Sequence, residues 1–177
     1  MNMSMNHIPT QKFLSVYDES ESDAVFHVCR KLCCDNTYTL FQNITTRGYD
    51  DGLYLIPTDY IYRVDAEDEY TARIEKLFHL LEQPLMEEIE IGEDTSLFLW
   101  VLDHAKKNAL VTSLFLNNGD DVTGRILETD LENDCLYMEL LKENGEKNGF
   151  SFISMDNIEK IICDSGVERC IEMLAQK

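Results

Sequence analysis

The alternation of apolar and polar positions predicts the same series of elements in each half of the chain. In the first half, β-branched and aromatic runs separated by turn-forming residues predict five short strands between residues 13 and 64. Five apolar residues then recur at helical spacing, which predicts a helix packed on the sheet. They are Tyr70, Ile74, Leu77, Phe78 and Leu81. The second half predicts a leading helix, five strands between residues 110 and 163, and a final helix.

A direct comparison of the two halves shows that the stretch from Asn36 to Leu77 is repeated. Asp59 falls on Asp156 and Ile61 on Ile158, each 97 positions later, and the match continues without a gap into the helix. A register kept over this length predicts two similar domains. The predicted boundaries are residues 13–83 for the first domain, 84–94 for an acidic linker and 95–177 for the second domain.

The duplicated unit therefore consists of five short strands and a C-terminal helix. Short antiparallel strands joined by tight turns favour a small closed barrel over an open sheet, because closure removes the exposed edges. The predicted fold is mainly β with α (α+β), with two tandem five-stranded antiparallel barrels, each followed by a helix. Ile61 and Ile158 are expected to be buried barrel residues.

The charge of the chain limits its partners. There are 34 acidic and 15 basic residues, a net charge of −19 and a pI of about 4.4. Such a chain repels polyanions at long range, so nucleic acid and anionic lipid are poor partners. No apolar run approaches the roughly 20 residues of a membrane helix, and residues 1–11 lack a signal-peptide core. Six irregularly spaced cysteines suit reduced thiols, and we predict a cytoplasmic protein.

The second half carries a recognisable series of short motifs. After the leading helix come the strand 111–116, Asn118-Gly119, Gly124-Arg125-Ile126 and Asp130. This order resembles the Sm-like pattern of helix, strand, Asn-Gly turn, Gly-x-apolar and a later Asp. The resemblance covers about residues 95–162 and extends through the repeat to 13–64. It implies SH3-like barrels, in a family whose best-known members form RNA-binding rings, and the whole chain is similar to tandem Sm-like bacterial proteins of unassigned function.

The chain departs from that pattern where the family binds RNA. Asn133 and Asp134 stand where RNA-binding members carry an apolar residue and an asparagine. The segment Ile153-Ser154-Met155-Asp156 replaces an Arg-Gly pair. No RNA-pocket residue can therefore be carried over, and RNA binding is the alternative function.

The second predicted strand carries a candidate metal site. Strand alternation places His27, Cys29 and Cys33 on one side, beside Cys34, and thiolates and imidazole are zinc ligands. The strand has no Cys-x-x-Cys pair, and a flat strand cannot wrap a tetrahedral ion by itself. We favour small buried cysteines and predict no metal and no cofactor. The 97-residue shift aligns three of these positions with Gly124, Ile126 and Asp130.

The sequence predicts no catalytic residue. Asp59 and Asp156 could form an acid pair, but a turn-forming role explains their recurrence, and no partner for acid–base chemistry is evident. The repeated glycines are followed by neither a Lys-Ser/Thr pair nor a helix, so they are hairpin glycines and not a phosphate loop. They are Gly48, Gly52, Gly145 and Gly149. No nucleophile–histidine pairing stands out either.

These observations favour a non-enzymatic interaction or regulatory module. Its acidic surface would bind a basic protein, and exposed strand edges could join copies of the chain. A possible partner surface is formed by the tyrosines of the last hairpin, although core and rim packing is the competing interpretation. They are Tyr49, Tyr54, Tyr60 and Tyr62. For RNA, the only basic clusters are Arg30-Lys31 and Lys106-Lys107.

Overall fold

The computed structural model describes residues 5–10, 12–19, 26–92 and 95–176. These residues are mainly β with three α-helices, as the α+β prediction requires. They form two compact units, one ending at Leu97 and the other starting at Phe98. Residues 93 and 94 of the predicted linker lie outside the described residues.

The first unit is an antiparallel sheet with one helix against it. Its ladders run in the order β5-β1-β2-β3-β4, and the helix α1 follows β5. The elements are β1 (Phe13–Asp18), β2 (Phe26–Cys34), β3 (Tyr38–Ile44), β4 (Asp50–Pro57), β5 (Ile61–Ala66) and α1 (Glu69–Leu80). The Asp68 side chain caps α1 by accepting a hydrogen bond from the Thr71 amide at 2.8 Å. The helix then buries Ile74 and Phe78 in one cluster with Phe13.

The second unit has the same strand order. Its ladders run β10-β6-β7-β8-β9, with a capped helix after β10. The elements are α2 (Leu97–Lys107), β6 (Val111–Leu116), β7 (Asp121–Asp130), β8 (Cys135–Leu141), β9 (Lys147–Ser154), β10 (Ile158–Cys163) and α3 (Gly166–Ala175). A capping box of Ser165 and Glu168 starts α3. The buried Glu168 also accepts a hydrogen bond from Ser113 Oγ at 2.6 Å.

The predicted strands and helices are all present, with ends that differ by a few residues. Among the described strands, no ladder joins β4 to β5 or β9 to β10, so closed barrels are not observed. Each sheet is nevertheless interrupted by register shifts at matching places, including Leu32 in β2 and Leu127 in β7. Such bulges bend and twist a sheet.

The ladders also correct the alignment of the two halves. Arg30 pairs with Gln42 in the first unit, and Arg125 pairs with Glu139 in the second. Gln42 and Glu139 are 97 positions apart, but Arg30 and Arg125 are only 95 apart. Between equivalent ladder pairs, the hairpin of β7 and β8 is two residues longer: six residues separate Thr129 from Leu136, whereas four separate Cys34 from Thr39. The alignment of Cys33 with Asp130 is therefore wrong, and the structure places Glu128 there.

Candidate interaction surface

The last strand of the second unit, β9, exposes two phenylalanines. It has one neighbour, β8, among the described strands. Ile153 points into the core and is 6% exposed, whereas Phe150 and Phe152 on the opposite side are 57% and 76% exposed. Both rings stack on Tyr137 of β8, with centroid distances of 5.5 Å and 4.6 Å. We call Tyr137, Phe150 and Phe152 the aromatic face.

Carboxylates surround the Phe152 end of the aromatic face. Glu128 lies opposite Tyr137 in the ladder between β7 and β8. Asp134 Oδ2 accepts hydrogen bonds from Ser154 Oγ and the Asp156 amide, each at 3.2 Å, and so lies at the end of β9. Within the part of the chain that the structure describes, no ion pair neutralises the carboxylates of this region. They are Glu128, Asp130, Glu132, Asp134 and Asp156, which we call the acidic rim.

One carboxylate of the acidic rim, Asp130, is held in its charged form by hydrogen bonds. Hydrogen bonds from the Asn133 side chain and amide lower the pKa of Asp130. At the Phe150 end, Lys147 Nζ lies 2.6 Å from Glu139 Oε1, so this cation is already paired. The aromatic face therefore combines a large apolar contact area with a negative surrounding.

The equivalent positions of the first unit are covered. Leu40, Leu53 and Leu55 correspond to the aromatic face through the 97-residue shift and are 0%, 4% and 0% exposed. Exposed apolar side chains at these strand positions therefore occur in the second unit and not in the first. The sequence does not reveal the exposure of Phe150 and Phe152. They align with Leu53 and Leu55 in the repeat, and both strands look like ordinary core strands.

The predicted tyrosine surface needs correction at Tyr54. This side chain is 1% exposed, and its hydroxyl donates to Asp18 Oδ2 at 3.1 Å, so it belongs to the core. Tyr60 is partly buried. Tyr49 and Tyr62 are each 48% exposed, but no ring contact joins them.

Tyr62 belongs instead to a row of aromatic rings in the first unit. The row runs from Tyr62 through Tyr17 and Phe26 to Tyr70, with centroid distances of 6.2, 5.2 and 5.4 Å. Arg63 lies 4.6 Å over the Tyr17 ring and also pairs with a carboxylate of its own strand. This row has its own cation and is less suited to a basic partner than the aromatic face.

The sequence candidates for metal chemistry belong to the first unit, whereas Asp156, a candidate for acid–base chemistry, belongs to the acidic rim. Across the described ranges, no group of three or more His, Cys, Asp or Glu side chains is arranged to hold a metal ion. Cys29 is buried, and burial raises its pKa well above the usual range. Asp59 and Asp156 are exposed in the short 3-10 turns before β5 and β10, which is a turn-forming position.

Thiol labelling tests these environments. Burial raises the pKa of Cys163 to about 12, and Thr112 Oγ1 lies 3.8 Å from its sulfur. Cys170 is exposed. Because the thiolate is the reactive form, iodoacetamide at pH 8 should modify Cys170 at least tenfold faster than Cys163. Peptide mass spectrometry at timed intervals measures both rates. Equal rates in the native protein would contradict the burial of Cys163, and equal rates in urea are the control.

Comparison with known proteins identifies no relative, so the proposed function is argued from the geometry of the chain. No protein-family model, no curated protein and no solved structure matches the chain. In the described residues there is no helix of the length and apolarity needed to cross a bilayer.

Proposed function

We propose that the chain is a non-enzymatic, cytoplasmic protein-interaction module of two tandem Sm-like barrels, and that β9 binds an extended basic segment of another protein. The observation that carries this proposal is the exposure of Phe150 and Phe152 on a strand with one neighbour. The five-stranded antiparallel order, the bulges at matching places and the leading helix α2 support the Sm-like part. The six free thiols suit a reducing compartment.

An edge strand binds a partner segment by adding it as a further strand. Its unpaired backbone groups supply hydrogen bonds, and pockets for alternate side chains supply specificity. On the outward side of β9, the partner's side chains would meet Phe152 and the acidic rim. A segment that alternates apolar residues with lysine or arginine matches both, through apolar contact, cation–π attraction and ion pairing.

RNA binding is less well supported, although stacked aromatic rings can bind bases. Phosphate contacts require accessible cations, but Arg30 and Lys31 are only 6% and 4% exposed. Lys31 Nζ donates to the Met5 carbonyl at 2.7 Å, and Lys107 pairs with Asp103. The acidic rim would also repel the backbone of RNA.

Phe152→Ser is expected to weaken binding of a basic strand-forming peptide at least tenfold. The probe is a fluorescent nonapeptide of alternating lysine and valine, measured by anisotropy at low salt. Since Phe152 is 76% exposed, its removal should leave the melting temperature nearly unchanged. Leu80→Ser is the matched control, because Leu80 is 70% exposed on α1 and lies outside the aromatic face.

The charge and class of the partner are tested separately. A nonapeptide of alternating glutamate and valine should not bind, and the lysine peptide should bind less tightly as salt rises. A pull-down from native lysate, with and without nuclease, distinguishes protein from RNA. Equal binding of wild type and Phe152→Ser, or capture of RNA that nuclease removes, would overturn the proposal.

A further inference from the structure

An arginine and a glutamate occur at equivalent places in both units. We call the pair closed where the two side chains form an ion pair, as in the second unit, and open where they do not, as in the first unit. In the second unit, Arg125 of β7 donates to Glu172 Oε2 of α3 from Nε at 3.2 Å and from a terminal nitrogen at 2.7 Å. In the first unit, the ladder places Arg30 where Arg125 stands, and the 97-residue shift places Glu75 of α1 where Glu172 stands.

The pair in the first unit is open. Arg30 is 6% exposed, and within the described residues its Nε has no hydrogen-bond acceptor and no carboxylate forms an ion pair with it. Its terminal nitrogen donates to Gln42 Oε1 at 3.1 Å and to the Met86 carbonyl at 3.3 Å. Glu75 instead lies 3.9 Å from His79 Nε2. One N–H donor of this buried charged group is thus left without an acceptor, which is costly and points to a missing acceptor.

Arg30 and Glu75 both line a cavity of about 480 Å³ in the first unit. The segment after α1 forms part of its wall and includes Leu85, Met86 and Glu88. Small-molecule sites commonly have volumes of about 300–1,000 Å³. The closed pair of the second unit shows that the spacing of strand and helix permits direct contact, so the sheet itself does not force the pair apart.

The charges around the cavity select the ligand class. A simple anion would satisfy Arg30 but would be repelled by Glu75 and Glu88. A simple cation would suit the glutamates but would leave Arg30 Nε without an acceptor. A ligand with a carboxylate and an ammonium group satisfies both requirements, and the apolar wall of Phe13, Leu85 and Met86 accommodates a hydrocarbon side chain.

We propose that this cavity binds a free α-amino acid with an apolar side chain. Its carboxylate binds the Arg30 guanidinium, its ammonium lies against Glu75, and its side chain packs on Phe13 and Met86. The site uses none of the residues of the aromatic face or the acidic rim. It therefore goes beyond the interaction function and can fail or succeed independently of it.

The first test is a ligand series on the unmodified protein. Leucine is the probe, with 3-methylbutylamine, which lacks the carboxylate, and 4-methylpentanoate, which lacks the ammonium. Two-dimensional NMR follows the Arg30 Nε–H signal, assigned by its loss in Arg30→Lys. Leucine should shift this signal in a saturable way, and each analogue should bind at least tenfold more weakly.

The second test compares the open and closed pairs. Glu75→Gln should weaken leucine binding at least tenfold, whereas Glu172→Gln, the same change in the second unit, should leave it unchanged. No saturable shift with any of the twenty amino acids would overturn the proposal. So would equal binding of leucine and either analogue, or an equal loss in Glu75→Gln and Glu172→Gln. If Arg30→Lys fails to fold, saturable shifts of the backbone amides of the unmodified protein report the ligand series, which then decides the question without the Arg30 assignment.

Discussion

Gly124→Val is expected to unfold the second unit, at a cost of more than about 4 kcal/mol. A Cβ added at Gly124 would lie 1.9 Å from the Glu139 carbonyl oxygen and 2.9 Å from the Leu140 Cα. Both atoms belong to the backbone of β8, so no side chain can move aside to make room. The valine would separate β7 from β8, which pair from Gly124 to Asp130 on both sides of the bulge at Leu127.

Urea denaturation monitored by circular dichroism measures the effect. Gly92→Ala is the control, because the only described atom that its added Cβ would meet is Thr95 Oγ1 at 3.7 Å, an ordinary contact. This control should change the free energy of unfolding by less than about 0.5 kcal/mol. The first unit holds Cys29 at the place equivalent to Gly124, so the requirement for glycine arises from the close approach of β8 and not from the fold in general. A Gly124→Val protein as stable as wild type would show that the two strands are not paired in this register.

The sequence predicted the elements well because local patterns determine them. The spacing of Ile74 and Phe78 marks a helix face whichever sheet it packs against, and the structure buries both side chains. Ser165 starts α3 with a side-chain hydrogen bond to a neighbouring amide, so its effect also lies within one turn of chain. Neither the helix face nor the helix cap depends on distant residues.

Ladder register is not local, and here the sequence-based prediction failed. From β3 onward, equivalent residues of the two units are 97 positions apart. Equivalent residues of β2 and β7 are only 95 apart, because the hairpin that leads into β8 is longer. Nothing in the turn sequence shows which residues are extra. The equivalence of Arg30 with Arg125 was therefore hidden, and with it the contrast between the open and closed pairs.

Burial of individual side chains depends on what covers each face of a strand. Apolar alternation predicts that one face of β9 is covered, yet it cannot show that Phe150 and Phe152 lie on the uncovered one. Tyr54 shows the opposite error. Its phenol is buried because Asp18, 36 positions earlier, accepts its hydrogen bond, and such a partner is not evident from the sequence around Tyr54.

Ile158→Ala is expected to cost about 2–4 kcal/mol of unfolding free energy, because Ile158 is 3% exposed at the start of β10 and its removal leaves a cavity. Asp120→Ala, in the exposed turn before β7, removes only a hydrogen bond from Asn118 Nδ2 and should cost less than about 1 kcal/mol. Urea denaturation of both variants against wild type measures the difference. Ile61 and Ile158 hold the same place in the repeat and are both buried, as predicted from the duplication, so a comparable loss in Ile61→Ala would show that both units use this position alike. If Asp120→Ala were the more damaging variant, the turn would contribute more than the core, and the assignment of β10 as a core strand would be wrong.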